Sequence, residues 1–274
     1  MFEHTRRSKN GFVVAFNIVE LIYHSIVRSV RSGHRNAIIA MLKTMMQAFM
    51  FVAAFYIMFT LIGLKGSALR GDFLLYLLSG IYLYLTHIRA LGAVSGAEGP
   101  ASPMMQHAPM TTMISITSAA LGTLYLQTLS LCVILLIYHI AWTPVHIEQP
   151  ILAYCMLLIA WFSGCALGLV LLALKPWFPT VVGLFMVVYQ RANMIASGKM
   201  FVANALPGYM LSMFDWNPLF HCIDQARGFI FVNYYPRYSS WEYPLMIGGI
   251  LVMVGLMAEF YTRKHVSISW NALR

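Results

Sequence analysis

At 274 residues, 60% of them hydrophobic and only 10% charged, the chain lies far from soluble globular proteins, in which about a quarter of residues carry charge. It reads as an all-α integral membrane protein with no soluble domain left over. The formal net charge of +9 gathers at the two ends of the chain, which points to membrane topology and anionic-lipid contact and away from nucleic acid.

The region 1–44 opens with Arg6, Arg7 and Lys9. The apolar run behind them is interrupted by Asn17, Glu20 and His24 and has no small-residue cleavage site, so it is not expected to be a signal peptide. From 11 to 32 the polar positions Asn17, Glu20, His24, Arg28 and Arg31 recur every three or four residues, opposite Phe12, Phe16, Val19, Tyr23, Ile26 and Val30. That spacing predicts an amphipathic helix in the membrane interface, broken at Gly33.

A hydrocarbon core of about 30 Å takes roughly 20 apolar residues as helix. Six stretches qualify: 45–64, 73–94, 114–140, 151–174, 180–200 and 245–261. Arg6, Arg7, Lys9, Arg28, Arg31, Arg35 and Lys43 precede the first, and Arg263, Lys264 and Arg274 follow the last, so both termini are expected in the cytoplasm. This divides the chain into a cytoplasmic N-terminal region 1–44, a six-span transmembrane domain 45–262 and a tail 263–274.

After the second span, Gly96, Gly99, Pro100 and Pro103 bound a cytoplasmic connector that runs on to Pro109, long enough to dock on something and too short for a domain. Lys175, Pro176, Trp177, Phe178 and Pro179 make a tight turn between the fourth and fifth spans. The segment 198–244 is too broken for a span and too apolar for an ordinary exposed loop. Its Leu206, Met210, Leu211, Met213, Phe214, Phe220, Ile223, Phe229, Ile230 and Phe231 need burial. Asn217 before Pro218 has the chemistry of a helix start, and short helices re-entering the outer leaflet are expected here. Small-residue pairs suited to close helix contact stand at Gly164 and Gly168, Ser118 and Gly122, and Gly248 and Gly249.

The chain has no GxxxxGK[ST] phosphate cradle, so it is not expected to hydrolyse ATP. Every carboxylate falls in a connector, at a span end or in the interfacial helix, with Glu259 the nearest exception, which disfavours ion-coupled transport. His87 with Arg89, and His139 with His146, have no ligand spacing, and each histidine is expected to be packed or interfacial. Cys132, Cys155 and Cys165 fall in spans and Cys222 in the outer segment, with no disulfide or metal framework read from them. An impermeant thiol reagent is expected to reach Cys222 first, unless the re-entrant fold shields it.

Aromatic surface is plentiful. Tyr82 and Tyr84 in the second span, Tyr125 in the third and Tyr189 in the fifth are candidates to line a path for a sugar chain, since a tyrosine offers a flat apolar face with a polar edge. Arg191 and Arg227, with Lys199 and Arg237, are read either as a positive exit field or as cations snorkelling to headgroups. Asp224 and Arg227 are spaced to pair on one helix face.

An amphipathic N-terminal helix, six spans, a proline-bounded connector after the second, and an outer Asn217-Pro218-Leu219-Phe220-His221 motif with Arg227 downstream form a recognisable pattern. The chain resembles the permease subunit of type-2 ABC exporters, in particular the capsular-polysaccharide branch. That resemblance implies a homodimer in the bacterial inner membrane, driven by two copies of a separate ATP-binding subunit and moving a lipid-linked polysaccharide outward. ATP and Mg would be bound by the partner and no cofactor by this chain, which would be no enzyme itself. A periplasmic polysaccharide co-polymerase or an outer-membrane export component is a further partner it allows.

Carried onto this sequence, the ATPase contacts map to 11–32 and 96–109, with Glu20, Arg28, Glu98, Pro100, Pro103 and His107 as coupling residues. The outer re-entrant helices map to 206–214 and 217–232. Closure of the partner subunits would move the connector and tilt the first, second and fifth spans. An O-antigen or teichoic-acid exporter is the near alternative. An intramembrane glycolipid transferase and a passive channel or scaffold are alternatives of other classes.

Overall fold

The computed structural model describes residues 19–27, 37–63, 72–99 and 111–265, which are helical and contain no strand. The helices are α1 (19–27), α2 (Ala37–Ile62), α3 (Phe73–Ser95), α4 (Thr112–Ala141), α5 (Pro150–Leu174), α6 (Pro179–Ala196), α7 (Gly208–Phe214), α8 (Pro218–Ile230) and α9 (Glu242–His265), with a 3-10 turn at Ala203–Ala205. Among them α2, α3, α4, α5 and α9 are long and apolar enough to cross a membrane. The chain is therefore an all-α, multi-pass membrane protein. The fifth expected span corresponds to α6, which stops at Ala196, short of 200, and carries Gln190, Arg191 and Asn193 in its last two turns.

Local chemistry explains the boundaries. Pro150, Pro179 and Pro218 occupy the first turns of α5, α6 and α8, where a missing N–H costs nothing. Asp72 caps α3 by accepting from the Leu74 N–H at 3.1 Å, and Thr111 caps α4 through Ile114 at 3.3 Å. Asp72 also accepts from the hydroxyls of Tyr138 and of Thr143, the latter at 2.8 Å. Burial by itself would raise its carboxyl, but these hydroxyls and the N–H groups of Leu74 and Leu75 outweigh it and hold the group below its ordinary value. At the other extreme, α2 begins at Ala37, ahead of the expected 45. Apolarity at Lys43 and Thr44 is broken, yet helical hydrogen bonding is not, and Thr44 returns its hydroxyl to the Ala40 carbonyl at 2.9 Å.

At the centre stands α3. Its most apolar stretch is the least apolar among those of the five long helices, yet every residue from Leu75 to His87 is buried. Its Ser79, Thr86 and His87 therefore face protein and not lipid. Against it lies α5, which also carries α9 and α8. The α3–α5 seam is close because of Gly164: a Cβ there would overlap the His87 carbonyl oxygen, and one on Gly168 would meet the Leu91 carbonyl at 2.9 Å. Of the other small pairs, Gly248 lies under the Phe162 ring, whereas Gly249 faces open space.

The cysteines are free, and Cys222 is wholly buried while Cys132 is exposed. The shielding allowed for Cys222 is thus present, because α8 is folded into the bundle and its Cys222 side points inward.

Candidate functional site

Among the described residues, the buried Lys199, Asp224 and Arg227 collect where the turn after α6, the helix α8 and the middle of α3 meet. The Asn217 side chain sets up this junction. Its Oδ1 accepts from the Leu219 N–H at 3.1 Å and caps α8, while its Nδ2 donates to Asn193 Oδ1 at 2.8 Å and to the Ala196 carbonyl at 3.0 Å. One amide thereby fixes the start of α8 to the end of α6. One turn on, His221 accepts from the Ser240 N–H on Nδ1 at 3.1 Å and donates from Nε2 to the Asp215 carbonyl at 2.7 Å, with its ring 4.7 Å from that of Tyr243 in α9. Both partners require the Nε2–H tautomer. The Asn-Pro-Leu-x-His segment is thus a clasp that joins α6, α8 and α9.

Arg227, on the same helix, is 1% exposed. Its Nη1 donates to the carbonyls of Gly198 at 2.9 Å and Phe201 at 2.6 Å, its Nη2 to that of Lys199 at 2.6 Å, and its guanidinium carbon lies 4.1 Å from the centre of the Tyr76 ring. Gly80 makes room: a Cβ there would meet Nη2 at 2.7 Å. Lys199 is equally buried, and its Nζ lies 3.6 Å from the centre of the Tyr84 ring, with Phe51 and Phe55 of α2 completing the surround. No hydrogen-bond partner reaches this amine among the described residues.

Arg227 does not pair with Asp224. That carboxylate instead accepts from the hydroxyls of Tyr234 and of Ser239, the latter at 2.7 Å. Burial, and after it the charge of Asp224, push the Tyr234 hydroxyl up and keep it a donor.

Deeper in the bundle a second polar cluster joins three helices. His87 of α3 has Nδ1 3.1 Å from the Ala160 carbonyl and 3.0 Å from Ser163 Oγ in α5, and Nε2 2.9 Å from Tyr189 Oη in α6. A carbonyl can only accept, so Nδ1 carries the proton and Nε2 accepts from Tyr189. Ser163 donates to the same carbonyl at 2.9 Å, so its proton is committed to the backbone and His87 does not activate it as a nucleophile. Arg89 turns the other way, to Gln47 Oε1 of α2 at 2.5 Å. Near the opposite end of the bundle, Glu259 of α9 accepts from the Thr112 hydroxyl at 2.6 Å.

The residues expected to line a path divide sharply. Tyr82 and Tyr84 are buried, their hydroxyls donated to the carbonyls of Gln127 at 2.5 Å and Gln190 at 3.1 Å. Tyr189 is half-buried and bound to His87, and Arg227 is locked as described. Only Tyr125 on α4 and Arg191 on α6 are exposed. A positive field made jointly by Lys199, Arg227, Arg191 and Arg237 is not formed, because the first two are withdrawn into the wall while Arg191 and Arg237 face outward. The hydroxyls of Tyr82, Tyr84 and Tyr189 are not spare for a ligand: each finds a backbone carbonyl or an imidazole across a helix interface.

Of the expected coupling residues, Glu20 is exposed on α1, with His24 Nε2 3.8 Å away. Glu98 is exposed just after α3, and its N–H donates to Ser115 Oγ at 3.0 Å, which draws the start of the connector onto α4. Arg28, Pro100, Pro103 and His107 lie outside the described residues.

Residue spacing gives no sign that Tyr76, Gly80 and Lys199 act as a unit, nor of the His87–Ser163–Tyr189 cluster, whose members stand 76 and 102 positions apart from His87. Among the described residues, no three His, Cys, Asp or Glu side chains are gathered to hold a metal ion. Neither protein-family models nor curated proteins give a match to this chain.

Proposed function

We propose that this chain is the transmembrane subunit of an ATP-driven exporter that moves a lipid-linked polysaccharide across the bacterial inner membrane, working as a homodimer with two copies of a separate ATP-binding subunit. What supports this reading above all is the placement of α8. The helix headed by the Asn-Pro-Leu-x-His motif sits against Gly80, two turns into α3 and thus about 10 Å along it from the Phe73 end. On this reading α6 is the fifth of six spans, α7 and α8 re-enter from the outer side, both termini are cytoplasmic, and Glu98 with the connector behind it receives the push of the partner. Coupling is mechanical, and the buried polar junctions transmit it without covalent chemistry.

The test is reconstitution. Purified from its native membrane, the chain should bring an ATP-binding subunit with it. Vesicles holding both should move a lipid-linked glycan in proportion to ATP hydrolysed, and replacing Pro100 and Pro103 should leave assembly intact but separate hydrolysis from transport. Translocation by vesicles that hold this chain alone, or purification without any ATP-binding subunit, would overturn the proposal.

A further inference from the structure

A cavity of about 430 Å³ opens between the start of α5 and the segment that follows α8, lined by Glu148, Gln149, Phe231, Asn233 and Tyr235 among others. Its walls are fixed by bonds that leave these side chains free to face it. The N–H groups of Glu148 and Gln149 donate to the carbonyls of Ile230 at 3.4 Å and Phe229 at 2.9 Å. The Tyr235 carbonyl accepts from Asn204 Nδ2 at 2.8 Å, and Tyr234 is anchored through its hydroxyl to Asp224. None of these bonds uses the side chains of Glu148, Gln149, Asn233 or Tyr235, so the carboxylate, the two amides and the phenol remain for something else. Tyr235 is 80% exposed, so its ring face is open to contact.

From this arrangement we infer that the cavity is a binding subsite for a neutral, hydroxyl-rich sugar segment. The inference takes the origin of its ligand from the export reading above. Its volume falls in the range of about 300 to 1,000 Å³ typical of small-ligand sites. A carboxylate accepts from neighbouring sugar hydroxyls, amides both donate and accept, and the face of Tyr235 covers the C–H face of a pyranose ring. Other ligands fit worse. Among the described residues no Lys or Arg lines the cavity, so an anionic sugar finds no counter-charge and meets Glu148 instead. A divalent cation finds one carboxylate where it needs several oxygen ligands of negative character. An apolar chain would leave Glu148 and Asn233 unpaired.

Saturation-transfer NMR on the full chain in detergent tests this, with maltotriose, mannotriose and chitotriose as neutral probes and trigalacturonate as the anionic one. Transfer to at least one neutral probe and none to trigalacturonate is expected. Tyr235→Ala should weaken the contact about tenfold, the loss of one stacked ring, and Glu148→Gln, which keeps size and shape, should weaken it without changing the thermal midpoint. Silence from all three neutral probes, equal binding of trigalacturonate, or binding untouched by both substitutions would overturn the inference. Sugar contact by a chain that brings no ATP-binding subunit would keep the subsite and remove the export reading. A coupled ATPase with no sugar contact would do the reverse.

Discussion

Lys199 holds its ammonium 3.6 Å from the centre of the Tyr84 ring and makes no hydrogen bond there. A desolvated cation–π contact contributes about 2 kcal/mol, and buried donors left unmade cost about 1–3 kcal/mol each, so the charge stabilises this position little or not at all. The apolar stem is what packs. Lys199→Met should therefore leave the thermal midpoint of the detergent-solubilised chain unchanged or raise it, whereas Lys199→Ala should lower it. Equal losses in the two variants would show that the charge itself holds the turn.

The α3–α5 seam is tested by one methyl group. Gly164→Ala drives a Cβ into the His87 carbonyl, against backbone that cannot yield cheaply, and should cost about 1–3 kcal/mol. Gly249→Ala, in open space on α9, should be neutral or gain up to about 1 kcal/mol from helix propensity. Denaturant titration of both variants in mixed micelles reads the contrast directly, and matching values would mean the seam is looser than described.

Asn217 performs two tasks that substitution can separate. Alanine removes the cap of α8 and both links to α6, a loss of about 2–3 kcal/mol. Aspartate keeps the cap and loses the donors, so it should recover only about 1 kcal/mol of that. Full recovery by Asn217→Asp would assign the whole effect to capping and leave nothing to the α6 link.

Asp72 makes the fold acid-sensitive in a defined sense. Its carboxyl is held below the ordinary 3.8 by hydroxyl and N–H donors that overcome burial, so the charged form is favoured in the folded protein. Its contribution is fully present at neutral pH and down to the ordinary carboxylate range, then is lost as pH falls through the lowered folded value. Unfolding midpoints followed from about pH 5 to pH 2 should drop less steeply in Asp72→Asn than in the unaltered chain. Parallel curves would mean that the Asp72 cluster does not respond to acid.

Much of the helix plan is legible in residue order. Proline after a boundary residue at 150, 179 and 218 places the starts of α5, α6 and α8, and the Asn217-Pro218 pair by itself marks where α8 is capped. Gly164 and Gly168 mark a close seam, although nothing in their spacing names α3 as the partner. The junction is hidden for a physical reason. Arg227 and Lys199 look like surface cations in a string of residues, and only the fold of the 198–201 turn against Gly80 turns three carbonyls toward the guanidinium. The bonds of the Tyr82 and Tyr84 hydroxyls are illegible for the same cause, since Gln127 and Gln190, whose carbonyls receive them, stand 45 and 106 positions away.

One helix is joined to its neighbours in an unusual way. Much of the apolar surface of α6, including Val181, Leu184, Phe185 and Val188, faces outward. Along its second half it is held instead by directional links: Tyr189 to His87, the Gln190 carbonyl to Tyr84, and Asn193 with the Ala196 carbonyl to Asn217. Apolar contacts slide and weaken by degrees, but a hydrogen bond in an oily surround is either made or replaced. Displacing α6 therefore requires these links to be broken or exchanged outright, and cannot proceed by a gradual loosening of contact.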